Sequence, residues 1–138
     1  MRKALQMAEL AFEQGEIPVG AVLFCDDKVV TKTHNQTELL NDSTAHAEIL
    51  AITAGFAHFN SKYLKDCTLY VSLEPCPMCA AALHWAQIKT IVWGARDEKR
   101  GYTNFSPNLL HPTAEVISGV LATESAVLMK QFFKERRG

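Results

Sequence analysis

What the chain is short of narrows it before any motif is considered. No apolar run approaches the roughly 20 residues that span a bilayer, and the longest runs are short and β-like, so no membrane partner is expected. Met1-Arg2-Lys3-Ala4 leads into a polar amphipathic segment with Gln6, Glu9 and Glu13, so no signal peptide is expected and the place of action should be cytoplasmic. There is no internal repeat, no low-complexity segment and no linker, which points to one domain over residues 1–138. A charge excess is missing as well: 14 Lys and Arg stand against 15 Asp and Glu, a net charge of -1. Proteins that grip nucleic acid usually carry a basic excess, so this total weighs against general adhesion to it. The balance is uneven along the chain, with 6 basic and 9 acidic side chains in residues 1–69 but 8 and 6 in residues 70–138.

Cysteine is scarce, with four at positions 25, 67, 76 and 79. In a chain without an export signal, thiols are expected to be reduced, metal-bound or buried rather than paired. Cys25 and Cys67 sit in the hydrophobic runs Val-Leu-Phe-Cys and Cys-Thr-Leu-Tyr and read as small buried hydrophobes. Cys76 and Cys79 stand apart, in Pro75-Cys76-Pro77-Met78-Cys79.

At 48% hydrophobic and 21% charged residues, the chain can bury a core. Leu5, Ala8, Ala11 and Phe12 recur at helical spacing with Gly15 as a stop, predicting a helix over about residues 2–14. Residues 19–25 and 29–33 read as β-branched strands joined by Asp26-Asp27 in a hairpin. A polar loop over 34–43 precedes Thr44, predicted to cap a helix that carries His46, Ala47 and Glu48 and ends near Phe59. A strand over 67–72 ends before Pro75, and an alanine-rich helix runs from 76 to about 86. Residues 90–93 form a fourth strand, 95–113 a polar loop and 115–118 a short fifth strand. The last helix, 121–136, sets Leu121, Ser125, Leu128 and Phe132 on one face. Strands alternating with helices imply an α/β sandwich around a mixed sheet.

The chemistry gathers at two predicted helix starts. Cys76 and Cys79, three apart on a first helical turn, can turn both thiolates to one side, and a helix N-terminus favours the thiolate. His46, one strand upstream, supplies a third ligand, and sulfur with imidazole selects zinc over magnesium or calcium. Two thiolates and a neutral imidazole cancel the charge of zinc and leave a fourth position for water, as in a catalytic site. A structural site would need a fourth protein ligand, for which His34, His84 and Cys67 are the candidates. Glu48, two residues beyond His46, need not face the metal and is suited to carrying protons to and from a metal-bound water. His-x-Glu followed by Pro-Cys-x-x-Cys matches the known signature of zinc nucleobase deaminases.

The chain resembles the bacterial tRNA-specific adenosine deaminases of the cytidine-deaminase-like superfamily, from Met1 through Arg137. The resemblance is carried by Glu16-Ile17-Pro18-Val19-Gly20-Ala21-Val22, His34-Asn35, Thr44-Ala45-His46-Ala47-Glu48, Thr68-Leu69-Tyr70-Val71-Ser72-Leu73-Glu74-Pro75-Cys76, Gly94-Ala95-Arg96-Asp97 and Phe132-Phe133-Lys134-Glu135-Arg136-Arg137. It implies a three-layer α/β/α sandwich with a central five-stranded mixed sheet. It also implies hydrolysis of the wobble adenosine of a tRNA anticodon stem-loop to inosine, with one zinc per chain, in a homodimer. Glu48 would be the catalytic proton carrier, and His46, Cys76 and Cys79 the metal ligands. Asn35 and the Ala47 backbone N–H would hold the base, with Val19 and Pro75 beside it, and Asp97 would meet the sugar.

Some features lie outside that pattern. Pro77 replaces a common valine, Trp85 is similar to the guanine-deaminase branch, and Glu98-Lys99-Arg100-Gly101-Tyr102-Thr103-Asn104-Phe105 is bulkier than the family's loop. A guanine, cytosine or cytidine deaminase with the same zinc chemistry is the alternative, and a non-catalytic zinc-containing RNA-binding subunit another. Taken alone, Asn35 reads as a turn residue and Asp97 as a solvated acid. Trp85 and Trp93 read as core, His84 as packing or hydrogen-bonding on its own helix, and His58 and His111 as surface. Lys130, Lys134, Arg136 and Arg137 read either as a solvated helix end or as contacts for RNA phosphates.

Overall fold

The computed structural model describes residues 1–106 and 108–137, so position 107 of the polar loop expected over 95–113 lies outside the described residues. Along the chain come α1 (Arg2–Glu13), β1 (Gly20–Cys25), β2 (Lys28–His34), α2 (Ala47–Phe59), β3 (Cys67–Leu73), α3 (Pro77–Ala86), β4 (Thr90–Ala95), β5 (Glu115–Ile117) and α4 (Ala122–Arg137), with one 3-10 turn at Tyr102–Asn104. Asp26 and Asp27 both take positive φ, 50° and 62°, the conformation a two-residue hairpin turn requires. Gly15, in the left-handed region, ends α1 in a Schellman motif: Gly15 N donates to Phe12 O and Glu16 N to Ala11 O.

The strands form one sheet in the order β2-β1-β3-β4-β5. β1 is antiparallel to β2 and β3, whereas β3, β4 and β5 run parallel. Helices α2 and α3 cover one face, α1 and α4 the other, giving three layers. Alternation along β1 decides which side chain meets which layer. Ala21, Leu23 and Cys25 join Ala51, Leu69, Val71, Leu83 and Ile91 in the core beneath α2 and α3. Gly20 faces α1, which lies so close that an added Cβ would stand 2.0 Å from Ala4 O. On the same side, Ser125 Oγ donates to the Ser72 carbonyl, and Ser72 Oγ accepts from Gly20 N at 3.1 Å, tying α4 to β3 and β3 to β1.

Four expectations are corrected. Cys25 and Cys67 are buried as expected, but they are joined in a disulfide. They are cross-strand partners of β1 and β3 with Cα atoms 4.4 Å apart, the spacing at which facing side chains in an antiparallel ladder touch. Trp85 is not core: it is 79% exposed on the outer face of α3, whereas Trp93 is buried in β4. Thr44 does not cap α2. Its backbone N–H and its hydroxyl both donate to Asp42 Oδ1 at 2.8 Å, which leaves His46, in an extended conformation, as the residue before the first helical turn. His84 bonds away from its own helix, with Nδ1 3.0 Å from Leu109 O.

Candidate active site

Register brings the site residues to one end of the sheet. Gly20 pairs with His34, Ala21 with Val71, and Leu73 with Ala95. Val19, Asn35, Glu74 and Arg96 therefore leave the sheet together, at the carboxyl ends of the parallel strands, where open α/β sheets place their ligands. Both α2 and α3 begin there, and each starts one residue after a sulfur or imidazole donor, His46 or Cys76.

His46 Nδ1 lies 3.6 Å from Cys76 Sγ and 3.5 Å from Cys79 Sγ, and the three donor atoms fall within 4.8 Å of one another. A tetrahedral zinc, with bonds of about 2.3 Å to sulfur and 2.0 Å to nitrogen, sets sulfur–nitrogen edges of about 3.5 Å. The donor set thus has the chemistry and the spacing of a three-ligand zinc site. Of the fourth-ligand candidates, Cys67 is consumed in the disulfide, His34 Nδ1 lies 2.9 Å from Asn35 O, and His84 faces Leu109; among the described residues only His46, Cys76 and Cys79 form a metal-binding group.

Charge in the site follows from burial and from these short contacts. Hydrogen bonding from the Cys79 thiol and from His46 brings Cys76 down to about 4. The same pairing, with deeper burial, holds Cys79 well above the usual thiol range. The bond to Cys76 raises His46. Metal binding requires the donors to give up their protons, so a bound cation would displace them. Glu48 is 4% exposed on the first turn of α2, and burial pushes its carboxyl up to about 7. A carboxyl poised near neutrality both takes and gives a proton readily.

The other predicted residues surround this centre. Asn35 N donates to Val19 O at 3.0 Å, and Gln36 N to Ala45 O at 3.0 Å, which places Asn35 and Val19 beside the His46 segment. The Asn35 amide is held loosely, its Nδ2 donating to Ile17 O at 3.4 Å and its Oδ1 accepting from Thr37 N at 3.3 Å. Ala47 is fully buried and is the first residue of α2, so its N–H has no partner four residues back. Pro75 is buried, and its carbonyl accepts from Tyr102 N at 2.9 Å. Asp97 Oδ1 accepts from the backbone of Lys99 at 3.2 Å and of Arg100 at 3.0 Å, so one oxygen shapes its own loop. Two buried carboxylates, Glu16 and Glu74, were given no role by sequence, which offered them only as members of the runs that carry the family resemblance.

A three-layer α/β fold with a His-Cys-Cys centre and a buried glutamate defines a hydrolytic deaminase of the cytidine-deaminase type. The chain belongs to the MafB19-like deaminase family, whose model matches residues 1–137. It is similar to the tRNA-specific adenosine deaminase of Rickettsia bellii, at 42% identity over 144 residues covering 99% of each chain. It is also similar to a solved structure from a study of A-to-I editing by tRNA:A34 deaminases at the wobble position of transfer RNA, with TM-score 0.87 and 40% identity over 93% of this chain and 96% of that one. Guanine deaminase from Nitrosomonas europaea superposes with TM-score 0.82 at 25% identity, covering 94% of this chain and 80% of that one.

Proposed function

We propose that the protein deaminates the wobble adenosine of a tRNA anticodon stem-loop to inosine. The observation that carries this is the His46-Cys76-Cys79 centre with buried Glu48, in a chain 42% identical end to end to a tRNA-specific adenosine deaminase. His46, Cys76 and Cys79 would hold a zinc ion, which when bound would supply an activated water. Glu48, buried beside that centre, would take up the proton released as the water oxygen bonds to C6 and hand it to the ring nitrogen beside C6. A second proton passes through Glu48 to the amine as the C6–N bond breaks and ammonia leaves. Asn35 and the free N–H of Ala47 hold the edge of the base, Val19 and Pro75 line its slot, and Asp97 meets the ribose through its remaining oxygen. Exposed Trp85 and Met78, one above the other on α3, support a homodimer, and the reading places the enzyme in the cytoplasm with its tRNA.

The test is a deamination assay on an anticodon stem-loop, run beside free guanine, cytosine, cytidine and adenosine. Inosine is expected in the stem-loop, with a loss of about 100-fold or more in Glu48→Ala at undiminished zinc content. Xanthine from guanine without turnover of RNA would instead favour a guanine deaminase, the second reading that Trp85 and the Nitrosomonas structure support.

A further inference from the structure

Two buried carboxylates stand beside the reaction machinery without belonging to it. Glu16 is 1% exposed and Glu74 2%. Each reaches across to a loop distant in sequence and takes up its backbone donors. Glu16 Oε1 accepts from Glu38 N at 3.0 Å and its Oε2 from Leu39 N at 2.8 Å. Glu74 Oε1 accepts from Asp97 N at 3.1 Å, while its Oε2 accepts from Thr103 N at 3.0 Å and Thr103 Oγ1 at 2.7 Å. The first loop follows Asn35 and the second begins at Asp97, so both leave the sheet at the site end.

Only a carboxylate satisfies these donors. It is acceptor-only on both oxygens, whereas an amide of the same shape turns two hydrogens toward one of the N–H groups. Buried negative charge survives where such donors converge on it. The second loop is pressed onto Glu74: a Cβ added at Gly101 would stand 2.2 Å from the carboxyl carbon. The two segments also present large apolar side chains to water, Leu39 at 69%, Leu40 at 50% and Phe105 at 65% exposed. Unstacked bases settle on apolar and aromatic surfaces of this kind when those surfaces are held still.

We propose that Glu16 and Glu74 are positioning residues, two carboxylate clamps that fix the flanking loops in the shape that receives the nucleotides around the reacting base. This rests on the reading of the site as an anticodon deaminase. Neither clamp touches the reacting atoms. Each acts through the loop it holds, and the geometry assigns them to substrate fit rather than to the chemical step.

The experiment measures KM and kcat per bound zinc on the stem-loop for Glu16→Gln, Glu74→Gln and Thr103→Val, with amide hydrogen exchange at Leu39, Asp97 and Thr103. KM is expected to rise about tenfold in each glutamine variant and about threefold in Thr103→Val, with kcat per zinc kept within about twofold. Thr103 is on the surface, so its valine variant reports on the clamp even where a glutamine variant fails to fold. Glu74→Gln and Thr103→Val should be non-additive, because both break one contact. Lower kcat per zinc at unchanged KM, or full additivity, would overturn the proposal. If the wild type leaves the stem-loop untouched while these amides stay protected, the functional reading fails and only the clamps' role toward RNA falls with it. If the amides exchange freely in an active wild type, the clamps fail alone.

Discussion

Glu48 is a carboxyl kept out of water on the first turn of a helix, and its proton affinity follows from that placement. Unfolded, it has an ordinary glutamate pKa; folded and metal-free, burial lifts it to about 7. Folding therefore favours the protonated form. Below the unfolded value both states hold the proton and Glu48 costs nothing by ionisation. As pH rises from there to about 7, the unfolded state gains an advantage, which is complete above 7 and is on the order of 3 kcal/mol. Glu48→Gln removes this dependence. The metal-free variant should melt well above the metal-free wild type at pH 8 and close to it at pH 4.5, as read by thermal unfolding across that range. The same variant should be inactive, so one residue trades stability for proton transfer.

Among the elements, the close seat of α1 on β1 is the most exacting. The Cβ of a Gly20→Ala variant would meet Ala4 O at 2.0 Å and Ala8 N at 2.5 Å, both backbone atoms that cannot swing aside. Overpacking of this kind costs about 3 kcal/mol, so urea unfolding should show a lower midpoint at unchanged slope, with zinc content intact. Much at this scale was legible beforehand. All five strands and four helices were expected within a few residues of their bounds, because β-branched runs, alanine-rich periodicity and the glycine stop at Gly15 are local signals. That His46, Cys76 and Cys79 come together was legible because each sits at or beside a helix start, a spacing that sequence reveals. What escaped depended on partners far along the chain. Thr44 looked like a cap until Asp42 took its hydroxyl. Cys25 and Cys67 gave no sign of being cross-strand partners, since register is set by the whole sheet. Sequence assigned Glu16 and Glu74 no role, because the loops that take up their carboxylates return from 22 to 29 residues away.

At the scale of the whole molecule, charge and shape divide the work. A net charge of -1 restrains general adhesion to polyanions, and the basic excess of residues 70–138 is local. Not all of it is free for RNA: Arg136 donates to Gly15 O and stands 4.9 Å over the Phe132 ring, fastening α4 to the end of α1. Trp85 has no such employment. A tryptophan 79% exposed on the helix that starts after Cys76 is the natural anchor of the proposed homodimer. Trp85→Glu should weaken self-association by about 100-fold, shifting the species in sedimentation from dimer toward monomer, while each chain keeps its zinc.

The Cys25–Cys67 bridge alters the chain as a topological object. It closes a ring at the end of the sheet opposite the site, across a sequence separation of 42. Asn35, His46 and Glu48 lie on that ring, whereas Cys76 and Cys79 lie outside it. Cross-linking a segment of that length removes loop-closure entropy from the unfolded chain worth about 4 kcal/mol in the chain-entropy view. The imidazole donor is thus leashed near the strand that leads to the thiols even after the sheet opens. An oxidised chain searches a smaller volume to bring His46, Cys76 and Cys79 together than a reduced one does.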